Sequence, residues 1–145
     1  MNNKLRLIDY IQHIQQYAEE ALSFVEDFDE NSFSLDRKTQ QAVVANLMTI
    51  GEIGTLLTKN HPDFIKATSD IPWQDITGMR HRLIHGYNTV SVGRVWSAVT
   101  THLPNLLKSI PLMINVERQF SGKGNLPIKN DVTINQPPDE PEIIL

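Results

Sequence analysis

Eight consecutive residues, Arg80-His81-Arg82-Leu83-Ile84-His85-Gly86-Tyr87, hold two guanidiniums, two imidazoles and a phenol. Arginine stays charged and grips phosphate oxygens in a two-pronged way. Histidine, with an ordinary pKa of about 6.5, gives or takes a proton near neutral pH. These groups suffice for RNA cleavage without a metal. The 2′-hydroxyl loses its proton and attacks the adjacent phosphorus. Arginine stabilises the charge that develops, and a histidine protonates the departing 5′-oxygen.

Geometry sharpens the assignment. On a continuous helix Arg80 and His85 lie roughly 140° apart around the axis, whereas Arg80 and Tyr87 return to nearly one face. The reaction needs an acid and a base, yet the stretch contributes one well-placed histidine, His85. A two-fold dimer answers this by bringing two copies of Arg80 and His85 to one cleft, and such dimers are the commonest oligomers.

Plainer readings of the same residues stand beside this one. Arginine and histidine in a helix's last turn favour its negative end by about 0.3–1 kcal/mol each. Tyr87 would serve as a half-buried aromatic with its hydroxyl bonded. His81 and His85, four apart, could face one metal ion, but no third ligand or carboxylate stands near, so no metal is expected. His13, His61 and His102 are isolated and carry no assigned chemistry. Trp73 and Trp96 fit a core better than a platform for bases.

The elements that must position this stretch are helical. Apolar residues at Leu5, Ile8, Ile11, Ile14, Ala18, Leu22 and Val25 step by three and four, predicting an amphipathic helix over residues 4–27. Residues 28–33 form a polar loop in this reading. A second helix starts near Ser34 or Asp36, either a suitable N-cap, with Val43, Leu47, Ile50 and Leu57 on its apolar face. Gly51 and Gly54 interrupt it at up to about 1 kcal/mol each relative to alanine, which points to close approach by another helix. Asn46 and Glu52 on this helix are expected at the surface or bonded locally, with lining of the cleft as the other reading.

Asn60-His61-Pro62 ends that helix. One short turn is expected over Asp63–Thr68. Asp70 and Pro72 then suit the start of a third helix, with Ile76, Met79, Leu83 and Ile84 as its apolar stripe and Gly86 placed to terminate it. A fourth follows from Val92 through Val95, Trp96, Val99, Leu103, Leu106, Leu107 and Ile110, and Pro104 should kink it. No strand alternation or internal repeat is present. The expected fold is an all-α, antiparallel four-helix bundle over residues 1–120, with a Pro/Gly-rich tail over 121–145. In that tail Val132, Ile134 and Ile143-Ile144-Leu145 are candidate anchors.

Bulk properties bound the function. The 145 residues suit one domain, and 40% hydrophobic with 21% charged residues is ordinary for a globular chain. A net charge of −4 argues against a large non-specific nucleic-acid binder and leaves room for a small basic site. With no cysteine there is no disulfide or thiolate chemistry. No signal-peptide pattern or membrane-length apolar run is seen, so a cytoplasmic protein without membrane association is expected.

Arg80 to Tyr87 fits the pattern R-x4-H-x-Y. Around it stand Gln41-Ala42-Val43, Asn46-Leu47, Ile50-Gly51-Glu52, Ile71-Pro72-Trp73, Val95-Trp96 and Leu103-Pro104. Together, in this order, they resemble the HepT-like family of the HEPN superfamily over residues 4 to about 115. The resemblance implies an all-helical homodimer and a metal-independent ribonuclease acting on RNA, with Arg80 and His85 as the catalytic pair. It implies a toxin of a type VII toxin–antitoxin pair. The partner would be a MntA-like minimal nucleotidyltransferase antitoxin that moves AMP from ATP to Tyr87. ATP and magnesium would serve that partner, and no cofactor is expected for this chain. His81 and Arg82 are variable within the motif and are given a supporting phosphate-contact role. Asn46 and Glu52 match family positions as candidate cleft residues. A competing reading is a non-catalytic partner and acceptor subunit that uses Arg80 and His85 to hold a nucleotide.

Overall fold

A computed structural model describes residues 5–85 and 91–121. The expected terminator Gly86, the phenol of Tyr87 and the tail beyond Ser121 lie outside the described residues. All regular structure among the described residues is helical. It comprises α1 (Leu7–Phe24), α2 (Glu30–Ser34), α3 (Arg37–Asn60), α4 (Pro62–Ala67), α5 (Trp73–His85), α6 (Val92–Ser97), α7 (Leu103–Lys108) and α8 (Ile110–Phe120). A π-helical stretch, Ala98–His102, joins α6 to α7. The four long members of the bundle are α1, α3, α5 and the continuous α6–α8 run.

Side-chain partners fix the directions. Asn46 of α3 reaches Tyr17 and Glu20 of α1, while Asn60 further along α3 reaches Tyr10 nearer the start of α1. The two helices are therefore antiparallel. Gly51 faces Arg80 and Gly54 faces Ile76 and Thr77, so α3 and α5 are antiparallel too. Between them lies one core. Ile11, Ile14 and Ala18 of α1 meet Val43, Leu47, Ile50 and Leu57 of α3, with Ile76 and Met79 of α5 and Val99, Leu103 and Met113 from the last run. Burying each large side chain of this kind is worth about 1.5–3 kcal/mol as an upper figure.

Three local features depart from the sequence expectations. The supposed loop at 28–33 contains α2, because Asp29 accepts a hydrogen bond from the Ser32 N–H at 2.8 Å and starts a turn. That bond holds the Asp29 carboxyl below the usual carboxylate range. The turn carries Phe33 into the core, where its ring lies 5.2 Å from that of Trp96. Second, the expected turn over 63–68 is the helix α4, with Pro62 at its start and Phe64 fully buried beside Trp73. Third, α5 does not use Asp70 as its cap. Its first ladder bond runs from the Ile76 N–H to the Pro72 carbonyl at 3.1 Å. The Thr68 hydroxyl holds Trp73 in place by accepting the indole N–H at 3.0 Å.

The cap at Asp36 is as expected, and at Pro104, where the sequence predicts a kink, the ladder before it changes to a π-helical stretch. Asp36 accepts from the Thr39 N–H at 3.0 Å and opens α3. Proline has no N–H, and its ring crowds the carbonyl four residues back, here Thr100. The chain widens just before it: the Leu103 N–H bonds to Ala98, five residues back, in the π-helical pattern.

Candidate active site

Helix α5 rests directly on α3 through glycine. A methyl group on Gly51 would fall 2.9 Å from the Arg80 nitrogen and 3.0 Å from its Cβ, and one on Gly54 would fall 3.0 Å from Ile76 Cγ2. The 2.9 Å approach is closer than real side chains come, and the contact at Gly54 would make its neighbour give by a few tenths of an ångström. Gly51 thus lets the helices meet backbone to backbone and sets the height of Arg80 above α3, while Gly54 makes room for the Ile76 and Thr77 side chains. Ile76, Met79 and Leu83 fill the inner face of α5 and lock its rotation.

With that face buried, the opposite face is open. Arg80, His81, Ile84 and His85 are all exposed. The Nε of Arg80 lies 3.2 Å from Glu52 Oε1, and the two side chains keep 48% and 45% of their surface in solvent. The rings of His81 and His85 stand 4.4 Å apart between centroids, tilted by 45°. One open surface therefore presents a guanidinium anchored by a carboxylate, beside two imidazoles one turn apart. Arg82 and His85 also fall in the last turn of α5, where positive charge is favoured.

Not every singled-out residue joins this surface. Arg82 folds back along its own helix. Its Nη2 donates to the Asp75 carbonyl at 3.2 Å, its Nη1 occupies the space beside Gly78, and its Nε is buried without a partner among the described residues. It is thus committed to α5 rather than directed alongside Arg80. Asn46 is buried in the seam between α3 and α1. Its amide donates to the Tyr17 carbonyl and to Glu20 Oε1, both at 3.1 Å. That bond crosses between helices and ties the bundle together, where the sequence suggested a surface or locally bonded residue. Tyr87 lies outside the described residues.

Among the isolated histidines, His61 packs edge-on against Tyr10, whose hydroxyl accepts from Asn60 at 3.1 Å. Trp73 is buried, and Trp96 is partly buried against the core. Among the described residues no cluster of three or more histidines and carboxylates is placed to hold a metal ion. None of the described helices is long and apolar enough to cross a membrane. The pairing of Glu52 with Arg80 is what the sequence did not disclose. The sequence marks Glu52 as a candidate cleft residue without marking it as the partner of Arg80.

Arg80 and His85 therefore stand on an accessible surface, held from behind by a tight helix crossing. A protein of Methanocaldococcus jannaschii named "Putative RNase MJ0127" is 32% identical over 106 residues, covering 72% of this chain and 84% of that protein. The "Probable ribonuclease HepT" of Thermococcus cleftensis is 36% identical over 99 residues, covering 68% of this chain and 86% of its own length. No solved structure matches the chain. Residues 14–113, from the middle of α1 into α8 and including all of α3 and α5, match the family described as "Ribonuclease HepT-like". The chain belongs to that family, the HepT-like ribonucleases of the HEPN superfamily.

Proposed function

We propose that this protein is a metal-independent endoribonuclease that works as a homodimer, with Arg80 and His85 of both protomers lining one cleft. The observation that carries this reading is the open face of α5. It presents the Arg80 guanidinium and the His85 imidazole to solvent together, with the apolar Ile84 between them in sequence. In the proposed reaction the 2′-oxygen bonds to phosphorus as its proton passes to a base. The bond from phosphorus to the 5′-oxygen breaks, and His85 in its charged form protonates that oxygen. The products are a 2′,3′-cyclic phosphate and a 5′-hydroxyl. Arg80 binds the non-bridging oxygens, where charge builds most in the transition state. A second copy of His85 across the dimer serves as the base.

The protein is, on this reading, the toxin of a HepT/MntA-type pair, and a MntA-like nucleotidyltransferase silences it. The hydroxyl oxygen of Tyr87 attacks the α-phosphorus of ATP, pyrophosphate leaves, and AMP remains on the phenol. Each added nucleotide brings roughly one negative charge. On Tyr87, close in sequence to Arg80 and His85, that charge competes with RNA phosphate for the guanidinium. Co-expression of the chain with its nucleotidyltransferase, followed by intact-mass measurement and peptide mapping, tests this. AMP increments on a peptide containing Tyr87 are expected. Neutralisation with unmodified Tyr87 contradicts covalent control.

A further inference from the structure

We propose that Glu52 is a positioning residue for the reaction: it orients the Arg80 guanidinium so that its two Nη groups face the scissile phosphate. This rests on the ribonuclease reading above and assigns a role within the same site.

Arginine is held at two points by consecutive residues of α3. At its root, Gly51 lies so close that an added methyl would stand 3.0 Å from Arg80 Cβ. At its tip, Glu52 Oε1 lies 3.2 Å from Nε. Between these points run the flexible bonds of the side chain, which unanchored would sample many rotamers. Nε is the one guanidinium nitrogen bonded to the aliphatic stem. A carboxylate on that side draws the group toward α3 by charge and leaves the Nη1–Nη2 edge for a second acceptor. That edge matches the spacing of two phosphate oxygens.

The ion pair has little reason to exist for stability. Both side chains are about half in water, and exposed pairs of this kind contribute little to folding. The carboxylate also opposes RNA binding, since it places negative charge beside the phosphate site. Its contribution must therefore appear in the transition state, through the direction of the guanidinium, rather than in substrate affinity. Misplacing a positioned group by about 1 Å costs on the order of 100-fold in rate.

The test is a double-mutant cycle on the full chain, read as single-turnover cleavage of an RNA oligonucleotide in EDTA. Glu52→Ala should lower kcat by about 10- to 100-fold, leave KM equal or lower, and leave the thermal midpoint near that of wild type. Glu52→Gln, which keeps the shape but removes the charge that draws the guanidinium, should recover little of the lost kcat. In an Arg80→Ala background, removal of Glu52 should have no further effect, because its action passes through Arg80. Wild-type kcat in Glu52→Ala, a Glu52→Gln variant as fast as wild type, or multiplying effects of the two substitutions would each overturn the proposal. Failure of the underlying reading looks different: the wild-type protein itself would not cleave RNA, or Arg80→Ala would cleave as fast as wild type.

Discussion

Gly51 and Arg80 occupy the same small space: a single methyl on the glycine would stand 2.9 Å from the arginine's backbone nitrogen. The helix that carries the proposed catalytic groups is thus seated at the level of one of them. Gly51→Ala must push α5 away from α3, because the nearest atoms are backbone and cannot rotate aside. The expected cost is about 1–3 kcal/mol, the usual range for overpacking. Cleavage should fall by more than the lost folded fraction explains, since Arg80 is displaced directly. Chemical denaturation paired with an activity assay checks this, and wild-type stability with wild-type rate would contradict it.

Asn46 gives the complementary case. It ties α3 to α1 through two bonds at 3.1 Å, away from the crossing of α3 and α5. Asn46→Ala should cost about 1–2 kcal/mol of stability through a lost buried hydrogen bond and the side chain's packing. Below the unfolding transition, kcat should stay at the wild-type value. A large fall in kcat without loss of stability would move Asn46 into the site.

Ile84 is 37% exposed on the same outer face as Arg80, His81 and His85. A composite cleft requires this face to meet its copy. Ile84→Asp should therefore shift the protein toward monomer in sedimentation and reduce cleavage in parallel, while leaving the helical content intact. A monomeric variant with full activity would remove the need for a second protomer.

Tyr87→Phe should remain an active nuclease that the nucleotidyltransferase cannot modify. Growth of cells expressing the variant with its partner is the measurement. Arrest is expected, and normal growth would show that neutralisation proceeds by binding alone.

Much of the frame was legible because its cause is local. Steps of three and four placed the long helices, Asp36 opened α3 as a short acceptor side chain should, and Gly51 with Gly54 marked a crossing. The short helices α2 and α4 were harder, since each buries a single large residue, Phe33 or Phe64, within a polar segment. Periodicity needs several apolar positions, and one aromatic has none. The π-helical widening before Pro104 was not legible, since a missing N–H marks a disturbed ladder without saying which form it takes. At the site, the histidine pair was implicit in its four-residue spacing. The Glu52–Arg80 contact joins residues 28 positions apart, and nothing in either one's neighbourhood announces the other.

The central claim is that Arg80 and His85 cleave RNA without a metal. Its most direct measurement is degradation of a defined RNA by the purified protein in EDTA, with His85→Ala and Arg80→Ala alongside. The wild-type protein should yield 2′,3′-cyclic phosphate ends at a rate EDTA leaves unchanged. Each variant should lose on the order of 100-fold or more, the contribution of a positioned acid or charge stabiliser. RNA left intact by the wild-type protein, or cut equally well by His85→Ala, would contradict it.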